Sequence, residues 1–252
     1  ILRLKFIYHM DFFLETLIIL VLIIIQSIFG IGLLLFGTPT FLILGYDFFN
    51  TLNFLLPISI IVSFLQFISL KSKFKKIIFD FNFYCLPFLV LFLIFALNFK
   101  EVLNFKFYVT IILIISSTLA LKRNNFFLKE KLILKYKKVI LIFIGLIHGL
   151  TNMGGGFLSI FSSLINHNKK YARHFISYGY LTMGVIQYFI LLFFEYESLD
   201  FSKIYYVLLA FLLYFPSQEI FKKVNNVLFR KTISIIALFY GFIILITNFY
   251  IY

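Results

Sequence analysis

Long apolar runs, interrupted by short clusters of lysine, asparagine and glycine, dominate the chain. Read by hydropathy and by helix breakers, they predict membrane segments near residues 12–45, 52–70, 83–99, 105–121, 139–165, 173–194, 204–220 and 232–250. Each approaches or exceeds the roughly 20 apolar residues that carry a helix across the hydrocarbon core of a bilayer. The connections between them leave no room for a soluble domain. The expected architecture is all-α and polytopic, with about eight transmembrane segments. Met10 is a candidate initiator. The run from Asp11 onward is too long for a signal-peptide core and has no small-residue cleavage site, so a retained first segment is expected.

Two stretches resemble each other. Gln26 to Pro39 reads QSIFGIGLLLFGTP and Gly145 to Phe157 reads GLIHGLTNMGGGF, and both place glycines and small polar residues inside an overlong apolar run. Downstream, an offset of 121 pairs Thr51 with Ala172, Ser63 with Gly184, Gln66 with Gln187 and Phe67 with Tyr188. These matches predict two homologous halves, residues 10–125 and 138–252, within one membrane domain. In a helix interior Gly154, Gly155 and Gly156 would each cost about 1 kcal/mol relative to alanine, which predicts unwinding there. Pro39 lacks an amide hydrogen and disfavours helical geometry at Thr38, so Gly37, Thr38 and Pro39 predict the matching break.

Non-helical backbone at membrane depth is tolerated only against protein or a wet cavity, so both breaks are expected to face the interior. Where a helix resumes, its free amides and the positive end of its dipole suit an anion. Thr38, Thr151, Asn152 and Ser159 would add neutral hydrogen bonds. The competing expectation is that these glycines only let helices approach closely.

Composition excludes a water-soluble monomer: 62% of residues are hydrophobic, 13% are charged, and the mean hydropathy is +1.04. The net charge of +13, from 23 Lys and Arg against 10 Asp and Glu, would suggest nucleic acid in a soluble protein. Here the aromatic residues lie inside the apolar runs rather than among the cations, so no nucleic-acid partner is expected. Lys71 to Lys76 and Lys122 to Lys138 are separated by two predicted crossings, and the positive-inside bias puts both in the cytoplasm. The basic clusters at Lys169, Lys170 and Arg173 and at Lys222, Lys223, Arg230 and Lys231 then fall on the opposite side. Either the fifth segment enters and leaves on one side, inverting the second half, or some of these cations serve function.

Candidate chemistry is sparse. Cys85 has no cysteine or histidine neighbour in sequence and is expected to be a buried structural thiol. No GxSxG, HExxH or CxxC occurs, and Gly154 to Gly156 lacks the lysine of a phosphate-binding loop, so neither enzyme, metal site nor cofactor is expected. Gln66 and Gln187 are candidates for substrate contact or for interhelical bonds. His148, one turn before the glycines, is a candidate for proton coupling or for neutral packing. Arg173 could meet an anion at the mouth or set topology.

The run GLIHGLTNMGGGFLSI from Gly145 to Ile160, with GIGLLLFGTPTFLILGY from Gly30 to Tyr46, resembles the TauE/SafE family of sulfite exporters, the 4-toluene sulfonate uptake permease family. The stretch from Pro216 to Gly241 also resembles the way these proteins end. The resemblance implies a two-repeat transporter, in a bacterial inner membrane, of small anions such as sulfite or organosulfonates. The expected site comprises Gly37, Thr38, Pro39, Gln66, Thr151, Asn152, Gly154, Gly155, Gly156, Ser159 and Gln187, with His148 as coupling candidate and a proton or sodium as coupling ion. A non-transporting membrane scaffold and an anion channel stand as alternatives.

Overall fold

The computed structural model describes residues 2–70, 75–122, 130–166, 168–195 and 201–229, with isolated positions at 235, 242 and 246. The segment expected at 232–250 lies outside the described residues except for those three positions. Among the described residues every regular element is helical: α1 (Leu2–Phe29), a π-helical turn (Leu33–Gly37), α2 (Thr38–Ile43), α3 (Phe48–Ile68), α4 (Lys75–Tyr84) and α5 (Leu86–Asn98). There follow α6 (Phe105–Lys122), α7 (Glu130–Thr151), α8 (Gly154–Ile165), α9 (Lys169–Phe194), a 3-10 turn (Phe201–Lys203) and α10 (Tyr205–Lys223). Four stretches are long and apolar enough to cross a membrane: Phe12–Phe29, Phe48–Ile68, Lys76–Asn98 and Lys169–Phe194. Leu33–Ile43, Phe105–Ser116 and Gly154–Ile165 are apolar but shorter. The 12 residues of α8 reach about 18 Å, less than the roughly 30 Å of a hydrocarbon core.

The first overlong segment, expected as a single crossing, and the fifth, for which a return to the same side was one alternative, are both helical hairpins. At the end of α1 the chain turns through Gly30, whose φ of +80° is the left-handed geometry in which glycine terminates helices. Leu33 N then donates to Gln26 Oε1 at 3.1 Å, and the chain returns beside α1 until Tyr46 OH donates to Glu15 at 2.6 Å. The first break therefore lies at Gly30–Gly32, not at Gly37–Pro39. Pro39 sits in the first turn of α2, where a missing amide hydrogen costs little. Gly37 is helical, and a Cβ there would lie 2.9 Å from Leu55 and 3.2 Å from Leu22.

In the second half α7 stops at Thr151, Asn152 takes a φ of 61°, and α8 doubles back along α7. The rings of Phe143 and Phe157 meet edge-on at 5.3 Å across this hairpin. Gly154 to Gly156 do not unwind; they form the first turn of α8. Their small size serves approach, since a Cβ at Gly154 would lie 2.6 Å from Ile144 O and one at Gly156 would lie 2.9 Å from Ser116 Oγ.

The helices pack reciprocally: α1 lies on α10, α7 lies on α5, and α3 crosses α9. Contacts between connections define two ends of the bundle. At one end Lys137 pairs with Asp80, Tyr178 OH donates to Asn82 at 2.7 Å, and Lys169 Nζ donates to Phe221 O at 2.7 Å. At the other, Lys100 pairs with Glu195 at 2.7 Å and Lys203 with Glu15 at 2.9 Å. The hydrogen bond to Glu195 raises the pKa of Lys100 above its ordinary value. Because each hairpin enters and leaves at one end, the lysine-bearing ends of α4, α7, α9 and α10 meet at the same end. Of the two alternatives left open for the later basic clusters, this arrangement favours a fifth segment that enters and leaves on one side.

Cys85 is buried, and its carbonyl meets Gly145 where α5 and α7 touch. Pro87 opens α5 in the first turn, so the run from Lys76 to Asn98 passes this point without losing a ladder bond to the proline. One turn further along, a Cβ at Gly149 would lie 2.5 Å from Leu89 O. Gly149→Leu is expected to force α5 from α7 and cost about 1–3 kcal/mol, read as a lower unfolding temperature of the purified protein. Gly45→Asn, in open space but at a φ of +89°, is expected to cost less, about 1 kcal/mol, from backbone strain alone.

Candidate functional site

The second reversal collects the densest set of buried polar groups among the expected residues. Asn152 Nδ2 donates to Thr38 Oγ1 at 2.9 Å, joining the turn after α7 to the start of α2. Asn152 Oδ1, His148 Nδ1 and Tyr180 OH are buried without a hydrogen-bond partner. Tyr180 lies directly over the amino end of α8, where a Cβ on Gly155 would run into its hydroxyl and ring. Gly156 N donates to Met153 O at 3.2 Å, the amides of Gly154 and Gly155 precede the helical ladder, and the dipole there favours negative charge. Buried polar groups are ordinarily satisfied, so three orphans around one helix start call for an explanation.

The remaining expected residues divide. Thr151 Oγ1 donates to Ile147 O at 2.8 Å, and Ser159 Oγ donates to Gly156 O at 2.7 Å, so both hydroxyls serve their own helices. Gly37 and Pro39 flank Thr38 but act through size and helix initiation. Gln187 lies beside the turn: its Oε1 is 3.1 Å from His148 Nε2, and its Nε2 is 3.5 Å from His148 O. Gln66 does not join them. Its Nε2 donates to Gln26 O at 2.7 Å and Ser27 O at 3.0 Å, where α1 ends. The two glutamines thus each meet the last carbonyls of a helix that reverses. Among the described residues no group of three His, Cys, Asp or Glu side chains could hold a metal ion.

A second polar region lies at the lysine-rich end. A cavity of about 370 Å³ is lined by Gln66, Lys170, Arg173, His174, Gln218 and Lys222, among others. Arg173 is only 7% exposed. Its Nη1 donates to Ser27 O at 3.1 Å, and its guanidinium carbon stands 3.5 Å from the centre of the Phe221 ring. Gln218 Nε2 reaches the same Ser27 carbonyl at 3.3 Å. The hydrophobic run made Arg173 the first residue of a segment, but Asn168 caps α9 by accepting from Lys170 N at 2.9 Å. Arg173 therefore sits a full turn inside the helix, and the Asn168 capping signal was the clue to its burial.

A larger, apolar cavity lies elsewhere. It measures about 480 Å³ and is walled by Leu132, Tyr136, Phe143, Phe157, Ile160 and other apolar side chains, with no charged residue. Such a lining suits acyl chains rather than the polar ligand that the reversal would hold.

Compared with models of protein families, with curated proteins and with solved structures, the chain matches none.

Asn152 does two things, and substitutions separate them. Asn152→Gly keeps the left-handed turn and loses the Thr38 bond, an expected cost of about 1 kcal/mol. Asn152→Val also forces a β-branched residue into that geometry, adding about 1–2 kcal/mol. Thermal unfolding of the purified variants checks the order.

Proposed function

We propose that the chain is an integral membrane protein of two homologous halves that acts as a secondary transporter of a small anion, sulfite or an organosulfonate being the first candidates. The halves are supported by the reciprocal packing of α1 on α10 and α7 on α5, and by a hairpin and an interhelical glutamine in each. The observation that carries transport is Tyr180 OH, buried without a partner against the amino end of α8 and beside the unpartnered Asn152 Oδ1 and His148 Nδ1. An anion entering there would meet the Tyr180 hydroxyl and the first amides of α8 as donors, whereas Asn152 Oδ1 is an acceptor and His148 Nδ1 donates only when the ring is protonated, its Nε2 already serving Gln187 Oε1. The Asn152 to Thr38 bond seals the turn in this conformation, and rocking one half against the other would part it. The bilayer is the constant partner, and a proton or sodium gradient would supply the drive, with His148 as the proton-coupling candidate.

One observation favours a scaffold instead. Thr38, His148, Asn152, Gly154, Gly155 and Gly156 are all buried, so the hairpins cross as a close-packed contact rather than around a wide cavity. Flux decides between the two. Gly155→Leu is a poor probe, because its side chain would collide with Tyr180 and disturb the fold. Tyr180→Phe removes only the unpartnered hydroxyl, so its unfolding temperature is expected to hold or rise slightly. In proteoliposomes loaded with sulfite or methanesulfonate, the wild type is expected to give saturable flux and Tyr180→Phe about tenfold less, the equivalent of one lost hydrogen bond in the bound state. Equal flux from both would remove the turn as the site. Absence of flux from folded wild type with every such anion and either gradient would favour the scaffold.

A further inference from the structure

Arg173 poses a problem that the buried turn does not solve. Its side chain is shut away from bulk water, yet among the described residues no carboxylate stands within ion-pair distance. Buried charges are ordinarily paired, because taking a cation out of water is costly. The structure gives its guanidinium one hydrogen-bond acceptor, Ser27 O, and the face of Phe221. A guanidinium has five N–H donors, so most of its hydrogen-bonding edge is unaccounted for.

What surrounds that edge is short of partners too. Gln66 Oε1 and both ring nitrogens of His174 are buried without one, and both residues line the same cavity as Arg173. The imidazole is held flat against Phe67, ring centres 4.9 Å apart, so it cannot easily turn away. Lys170 and Lys222 stand at the rim. Among the described residues the acid paired there is Glu219, with Lys222 at 2.6 Å, and both partners are more than half exposed. An exposed pair of this kind holds weakly and yields readily to a competing anion. At about 370 Å³ the cavity has room for a small guest, near the lower end of the roughly 300–1,000 Å³ typical of ligand sites.

We infer that this cavity is a separate oxyanion-binding site, in which Arg173 holds a sulfate-, sulfonate- or phosphate-like group edge-on while His174 donates a further hydrogen bond and Lys170 and Lys222 supply charge. Phe221 covers one face of the guanidinium, so the anion meets its N–H edge, where a planar fork can bind two oxygens at once. The site is one-sided. The offset that matches Gln66 with Gln187 places Leu52 opposite Arg173, so the other half carries no equivalent cation. The same chemistry has two sources at a membrane surface, a free anion or the headgroup of an anionic lipid.

Calorimetric titration of the full chain with sodium sulfate, in nanodiscs of phosphatidylcholine, tests the site without reference to flux. The wild type is expected to bind at one saturable site. Arg173→Gln is expected to weaken binding by more than about tenfold, and Lys170→Gln and Lys222→Gln by a few-fold each. Lys100→Gln, at the opposite end of the bundle, is expected to leave it unchanged. Arg173→Gln also loses its bond to the end of α1 and is therefore accepted only if thermal unfolding confirms a folded protein, the two lysine variants carrying the test otherwise. Repeating the titration in nanodiscs containing phosphatidylglycerol separates the sources: weaker apparent sulfate binding identifies a lipid headgroup as occupant, and unchanged binding a free anion. No saturable binding by the wild type, or binding unaltered in the folded Arg173 and lysine variants, would overturn the inference.

Discussion

A helix that turns back inside an apolar bundle uncovers backbone groups that neither lipid nor aliphatic side chains can satisfy. This constraint organises the structure at two points, the reversals at Gly30 and Asn152. At the first, Ser27 O would be left bare and instead accepts from Gln66, Arg173 and Gln218, side chains of three different helices. Gln26 completes the turn by accepting from Leu33 N and donating to Ser59 and Ser63 across to α3. At the second, His148 O receives Asn152 N at 2.9 Å and faces Gln187. The polar residues of an otherwise oily chain are concentrated where the backbone demands them.

The two reversals differ in what they leave over. The first is closed by donors on all sides, and its surplus is a cation, Arg173, facing a cavity. The second lacks such donors, and its surplus is a set of unpartnered groups around the amides of α8. An oxyanion complements the first through charge, and of the second it complements the Tyr180 hydroxyl and the amides that open α8, Asn152 Oδ1 being an acceptor. The ends of the bundle differ likewise. Glu15 ties α1 to Tyr46, Lys203 and Tyr206 at one end, while the other carries the lysine-rich connections and the opening beside Arg173.

The helical class and the long apolar stretches were legible in the sequence, because hydropathy is a local signal; the second break was expected at Gly154–Gly156 and lies just before them, at Asn152. The Gln66 and Gln187 correspondence was legible through the offset, although the bonds those side chains make depend on distant segments. The first break was misplaced because proline is the stronger breaker in general, whereas Pro39 stands in a first turn that tolerates it. The Gly30-Ile31-Gly32 run was the truer stop signal. Hydropathy also cannot distinguish one long helix from two short ones laid side by side, since both read as one apolar run. That ambiguity left the side of the later basic clusters open, and doubling each hairpin back puts them at one end.

The sidedness of the lysines is where the two reversals meet an observable. Single cysteines placed at Lys137, Lys170, Lys222 and Lys100, in the otherwise unmodified chain whose Cys85 is buried, can be labelled with a membrane-impermeant maleimide in sealed, oriented vesicles. If both hairpins turn back, positions 137, 170 and 222 react from one side of the membrane and position 100 from the other. Labelling of positions 137 and 170 from opposite sides would mean that the α7–α8 segment crosses the bilayer once, and would contradict the fold on which both proposed sites depend.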